Sequence, residues 1–176
     1  MGQDTSVRLR EATAGDAEEV TRVYLASRST ALPYLPRVHS DADTLAWITH
    51  VLLPGGRTWV AEGEAGELLG FASLDGDELD QLYLHPDVRR RGIGTLLLER
   101  AKEASRGELS LYTFRRNAAA RAFYERHGFV AEAYDDGGRN EENEPDVLYR
   151  WTAAGRPADG SDGSDSSGSR GTAGPV

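Results

Sequence analysis

The chain has 176 residues and a formal net charge of -9, from 20 Lys+Arg against 29 Asp+Glu; that fits one ordinary domain and argues against nucleic acid or an anionic membrane as partner. Cysteine is absent, which excludes disulfides, thiolate metal sites and a cysteine nucleophile. No apolar run approaches the roughly 20 residues of a membrane span, and the first residues lack an apolar signal core, so a cytoplasmic protein is expected.

Val7–Arg10 alternates apolar and charged residues and predicts a strand. Thr13 and Asp16 have capping-box spacing, and Val20, Val23, Tyr24 and Ser27 follow at helical spacing. A Pro-rich loop at 31–36 ends that helix. Leu45, Ile48 and Leu52 mark a second short helix, with Asp41 and Asp43 as N-cap candidates. Pro54-Gly-Gly56 breaks it. Two strands, Thr58–Glu62 and Leu68–Leu74, precede the hairpin signal Asp75-Gly76 and a third strand, Leu79–Leu84.

A helix follows Arg89–Gly94, with Ile93, Leu96, Leu97, Ala101 and Ala104 on its apolar face. Leu109–Phe114 reads as a strand and Ala118–Arg126 as a short helix that ends before Gly128. Phe129–Tyr134 and Val147–Trp151 are the last strands, joined by the polar loop 135–146. The folded domain is expected at 5–152. Residues 153–176, rich in Gly, Ser and Asp, read as a disordered tail. The class is mixed α/β, with an antiparallel front and one strand–helix–strand unit behind it.

The segment Arg89-Arg-Arg-Gly92-Ile-Gly94 lies between a strand and a helix. Glycines there let backbone approach a ligand closely, and the first-turn N–H groups carry the positive end of the helix dipole. A pyrophosphate suits such a site. The third glycine of a dinucleotide fingerprint is missing, because position 97 is Leu97, and a P-loop lysine is missing too. Downstream stands Asn117-x-x-Ala-x-x-Phe-Tyr124, followed by Gly128-Phe129.

Together these two segments, about 25 residues apart, resemble the GNAT family of N-acetyltransferases, bacterial type. The resemblance covers about residues 7–151. It implies the acyl-CoA N-acyltransferase fold, a mostly antiparallel sheet with one splayed parallel strand pair and about four helices. It implies acetyl-CoA as co-substrate and a small-molecule or peptide amine as acceptor, attacked directly with no covalent enzyme intermediate. No metal is implied, and family members often form homodimers.

Residue by residue, the resemblance implies that Leu82, Tyr83 and Leu84 bind the pantetheine arm through their backbone. Arg89 opens the phosphate motif, and Arg90, Arg91, Gly92, Ile93, Gly94 and Thr95 cradle the pyrophosphate. Asn117 binds the cofactor arm. Tyr124 matches the usual proton donor; its phenol, near 10, suits a thiolate whose thiol titrates at roughly 8.5. Glu78 holds the position of a catalytic glutamate, and Asp80 shares its strand face two residues on. Glu78 is favoured as base, and a bulge would exchange their places. Tyr34 and Trp47 are candidates to line an acceptor pocket. Glu141, Glu142, Glu144 and Asp146 read as a solvated acidic loop or as an attractor for a cationic amine. His39, His50, His85 and His127 show no metal-ligand spacing. The alternative is a non-catalytic acyl-CoA sensor of the same fold, which need not keep Tyr124 together with Glu78 or Asp80.

Overall fold

The computed structural model describes residues 6–155; residues 156–176 of the expected tail lie outside the described residues. β1 (Arg8–Glu11) leads into a turn closed by Asp16. The Asp16 carboxylate accepts the Thr13 backbone N–H at 2.7 Å and two Arg10 donors at 2.8 and 2.9 Å. α1 (Ala17–Ala31) follows and buries Val20, Val23 and Ser27.

α2 (Asp41–Trp47) runs through a π turn at Ile48–Leu52 into α3 (Leu53–Gly55), so the three form one helical body. Its N-cap is Ser40, and neither Asp41 nor Asp43 takes that role. The Ser40 hydroxyl accepts the Asp43 N–H at 3.1 Å. Both acids sit in the first turn, where the helix dipole favours negative charge.

The remaining elements are β2 (Arg57–Glu62), β3 (Leu68–Asp75), β4 (Glu78–Leu84), α4 (Ile93–Ala104), β5 (Glu108–Phe114), α5 (Ala118–Arg126), β6 (Val130–Asp135) and β7 (Asp146–Thr152). They build a seven-stranded sheet in the order β1-β2-β3-β4-β5-β7-β6. Every neighbouring pair is antiparallel except β4 and β5. A parallel pair needs a crossover, and α4 supplies it.

The sheet is covered on both faces, which is why β3 is buried along nearly its whole length. One face packs Val20, Val23, Ile48 and Leu52 of the first helices against Phe71 and Tyr83. The other packs Ile93, Leu97, Leu98 and Ala101 of α4, with Phe123 and Tyr124 of α5, against Leu82, Leu109 and Leu111. The α4 face differs from the expected one at a single step. Leu98 is buried and Leu96 is 45% exposed. The other buried residues are 93, 94, 97 and 101, and Leu98 lies nearer the centre of that stripe than Leu96 when each residue turns about 100°.

Candidate active site

β4 and β5 touch as a ladder at one register pair only, Glu78 with Ser110. The Ser110 N–H reaches the Asp77 carbonyl at 3.0 Å, and from there the strands part. Each keeps a full antiparallel partner on its other side, β3 and β7. The parted edges at Leu82–Leu84 and Leu111–Phe114 therefore form a seam inside the sheet. Its backbone groups need a partner that presents amides.

β4 carries a bulge. Ser73 pairs with Gln81 and Leu74 with Leu79, so Asp80 is the extra residue. The consequence is visible in packing. Leu79 and Leu82 are three apart and would face opposite ways in a regular strand, yet both join the core under α4. Tyr83 points to the α1 side. The Asp80 charge acts on Tyr24 and on Tyr83 and helps raise both phenols, after burial, above the ordinary tyrosine range.

The loop after β4 is strained where it meets α4. Arg90 has φ 64 and Gly92 has φ 78, both left-handed. Such conformations cost about 1–3 kcal/mol for a residue with a side chain and collect at ligand clamps. The space that a Gly92 side chain would fill is open. Arg89 is the half-buried member of the arginine run. Its Nε and Nη2 atoms are buried without a hydrogen-bond partner among the described residues. Burial pulls its pKa down. A buried cation without a counter-charge is costly and marks a place for an anion.

Of the other buried polar groups without a partner among the described residues, three bear on this site: the Asn117 Nδ2, the Thr113 hydroxyl and the Tyr124 hydroxyl. Asn117 caps α5 by accepting the Ala120 N–H on its Oδ1 at 3.2 Å, which leaves the amide donor free. Thr113 lies on β5, on the face of Leu109 and Leu111, and sequence reasoning passed over it because Thr is ordinary in strands. Tyr124 has 0% exposure and packs against Phe129 and Phe123. Burial above all, with the neighbouring Tyr83 second, holds its phenol well above the ordinary range, so it keeps its proton.

These features fit coenzyme A: a seam for the pantetheine amides, an open turn with a buried arginine for the diphosphate, and a protonated phenol. Among the described residues no group of three His, Asp or Glu side chains is placed to hold a metal ion, and no helix is long and apolar enough to cross a membrane.

The Acetyltransferase (GNAT) domain model matches residues 54–131, the stretch from α3 to the start of β6 that holds the bulge, the seam and the loop. Over that stretch the chain matches the GNAT family. Peptidyl-lysine N-acetyltransferase YjaB of Salmonella typhimurium is 39% identical over 77 residues, 44% of this chain and 52% of that protein. The match thus spans about half the length of that relative. YjaB of Escherichia coli K12 is 28% identical over 123 residues, 70% of this chain and 82% of that protein. The solution structure of apo-form YjaB from Escherichia coli superimposes with a TM-score of 0.70 at 24% identity, covering 85% of this chain and 99% of that one. The PaiA N-acetyltransferase of Thermoplasma acidophilum, solved with coenzyme A, gives 0.65 at 22% identity, covering 84% and 99%.

The chain has a pocket of about 510 Å³ on the α1 side, bounded by α1, the Pro-rich loop, the start of α2 and residues 141–142. Neither Tyr34 nor Trp47 lines it. Tyr34 lies under the Arg116 guanidinium at 3.9 Å, and Trp47 packs against Tyr24. The acidic loop is not a solvated one. Glu141 pairs with His39 at 2.7 Å, Glu142 with Arg28 at 2.7 Å, and Glu144 with Arg116 at 2.5 and 2.9 Å. Asp146 is buried beside Asn140. Two ion pairs and the His39–Glu141 hydrogen bond thereby fasten the loop to α1, to the β5–α5 turn and to the α1–α2 connection. Arg28 was not singled out in the sequence, because its partners lie 55 and 114 residues away.

Proposed function

We propose that the protein moves an acetyl group from acetyl-CoA to the ε-amine of a lysine in a peptide or protein, by direct attack. The GNAT domain match supports acetyl transfer, and the relatives named peptidyl-lysine N-acetyltransferases support the acceptor. The observation that carries the reading is the Tyr124 hydroxyl: buried, held protonated and unpartnered among the described residues.

Acetyl-CoA supplies a thioester whose carbonyl accepts the amine and whose thiol leaves. Leu82, Tyr83 and Leu84 hold the pantetheine arm through backbone along the seam. Arg89 to Thr95 hold the diphosphate, with Asn117 beside the arm. Tyr124 stands as donor to the departing sulfur; an orphaned buried O–H gains a partner there, so its desolvation cost favours that step. The amine must shed a proton first. The bulge turns the choice of carboxylate toward Asp80, whose charge is felt by both tyrosines of the pocket side, with Glu78 two residues before it at the closed end of the seam. A carboxylate within reach of the ammonium suits a proton acceptor for it.

The reading carries a cytoplasmic site of action, a domain at 5–152 and a chain able to work as monomer or homodimer. A non-catalytic sensor has no use for an orphaned phenol. The test is release of free thiol from acetyl-CoA with a lysine peptide, followed by mass analysis of the peptide. An increase of one acetyl group on the lysine side chain is expected, and thiol release without peptide acetylation would sink the reading.

A further inference from the structure

The pocket beside α1 is walled by Leu25, Leu32, Pro33, Leu35, Pro36 and Val38. Three carboxylates also line it, and they differ in depth. The Asp41 side chain is 69% exposed and belongs to Arg37; that of Glu141 is 43% exposed and belongs to His39. Glu142 is 15% exposed. It is therefore the carboxylate an entering side chain meets last.

Glu142 is also held in one place with half its bonding capacity in reserve. Its Oε1 accepts Arg28 Nη2 at 2.7 Å. Its Oε2 has no hydrogen-bond partner among the described residues. Arg28 cannot swing away to release or cover it. Nη1 donates to the Tyr83 hydroxyl at 3.3 Å, and the guanidinium stacks over Tyr24 at 5.3 Å and Phe114 at 6.0 Å. Burial alone would lower the Arg28 pKa, but Tyr83, Tyr24 and Glu142 raise it above its ordinary range, so the arginine stays charged.

The Arg28 guanidinium, part of the pocket lining, repels an incoming cation. Glu142, which also lines the pocket, neutralises it, and the oxygen not bound to Arg28 adds attraction. The apolar walls suit methylenes. An alkyl chain of a few carbons ending in an ammonium matches both features, the chain on the walls and the charge on Oε2.

We propose that Glu142 is the binding group for the acceptor's ammonium, positioned by Arg28 and Tyr83, and that it gives the site its selectivity for cationic over neutral side chains. The lysine identity of the acceptor rests on the function proposed above; the preference for a cation rests on Glu142 and its surroundings alone. Binding precedes loss of the amine proton, so Glu142 selects and Asp80 and Tyr124 act afterwards.

The experiment titrates the full chain, saturated with coenzyme A, with N-acetyl-lysine N-methylamide and with its norleucine counterpart, following amide shifts by NMR. A hydrogen bond to a charged group is worth roughly tenfold to a hundredfold in affinity, so the native protein should prefer the lysine compound by at least about tenfold. Glu142→Gln keeps size and an acceptor for Arg28 but loses the charge, and should bring the preference within about threefold. Glu142→Asp keeps the charge and should retain most of it. Unaltered coenzyme A affinity and melting temperature show that each variant is folded. A preference that survives in Glu142→Gln, or no preference in the native protein, overturns the proposal. A native protein that prefers the lysine compound but acetylates no lysine peptide leaves the ammonium site standing and removes the proposed function.

Discussion

The hydroxyl of Thr95, in the first turn of α4, lies 3.1 Å from Nε2 of His127, at the end of α5. The other ring nitrogen of His127 is 2.8 Å from the Phe123 carbonyl. A carbonyl only accepts, so Nδ1 carries the proton; on a neutral ring Nε2 is then the acceptor and Thr95 the donor. One imidazole thus ties the turn beside the diphosphate loop to the residue preceding Tyr124.

Removing the Thr95 hydroxyl should loosen both ends of that tie. Thr95→Val keeps shape and loses one hydrogen bond, worth about 1 kcal/mol, or roughly 2–4 °C in melting temperature for a chain of this size. The Michaelis constant for acetyl-CoA should rise with it. Calorimetry and initial rates check both, and a variant equal to the native protein in each would remove the tie from the argument.

Tyr124→Phe carries the sharpest contrast between stability and rate. The hydroxyl is buried without a partner, so deleting it removes a desolvation cost, and the free protein should melt no lower than native and by up to about 1 kcal/mol higher. General acid catalysis is worth about 10²–10⁴-fold, and kcat should fall by that order while acetyl-CoA affinity holds. An acetyl thioester with a more acidic leaving thiol should depend less on the phenol. A variant with native kcat, chemistry being rate-limiting, would exclude Tyr124 from the mechanism.

Gly92 separates backbone strain from ligand approach. Its φ of 78 is one that Asn tolerates better than most residues, and no protein atom lies near the position of a Cβ. Gly92→Asn should therefore fold with little loss. A ligand at about a hundred times its dissociation constant stabilises by about 2.7 kcal/mol, or roughly 5–10 °C here. The native protein should show that rise with acetyl-CoA, and Gly92→Asn should show little of it. An equal rise in both proteins contradicts the diphosphate assignment.

Acid stability should depend on Asp16. Its side-chain bonds to Arg10, outweighing burial, lower its pKa below the ordinary carboxylate value of 3.8. A group depressed in the folded state contributes stability above its unfolded pKa and loses it as the pH falls through the folded one. Asp16→Asn should therefore melt lower than native at pH 7, and the gap should close below about pH 4, the ordinary range of a free carboxylate. A gap that persists at pH 2 would mean that packing, not charge, sets the cost.

The segments that could be read from sequence are those whose signal is local. Gly92 and Gly94 before a helix, Asn117 seven residues before Tyr124, and the Asp75-Gly76 hairpin each write their geometry within a few residues, and β4, α4, β5 and α5 follow. Three cap formers within four residues, Ser40, Asp41 and Asp43, compete for one role, and only the backbone decides between them. The bulge at Asp80 depends on its pairing with β3, so the choice between Glu78 and Asp80 stayed open. Arg28 with Glu142, and His39 with Glu141, join residues more than a hundred apart. Opposite charges at such separation leave no pattern along the chain, which is why the acidic loop read as solvated.

The seam between β4 and β5 has a meaning for handling as well as for catalysis. Two strands that face each other without a ladder are sheet edges, turned inward instead of toward solvent. An edge is a template for another strand, and chaperones, neighbours and fibrils compete for such templates whenever local opening exposes one. The ligand that zips the seam therefore also guards the chain against itself. Concentrated, ligand-free protein should be the form that aggregates on storage, and coenzyme A, even with no acetyl group to give, should act as its preservative.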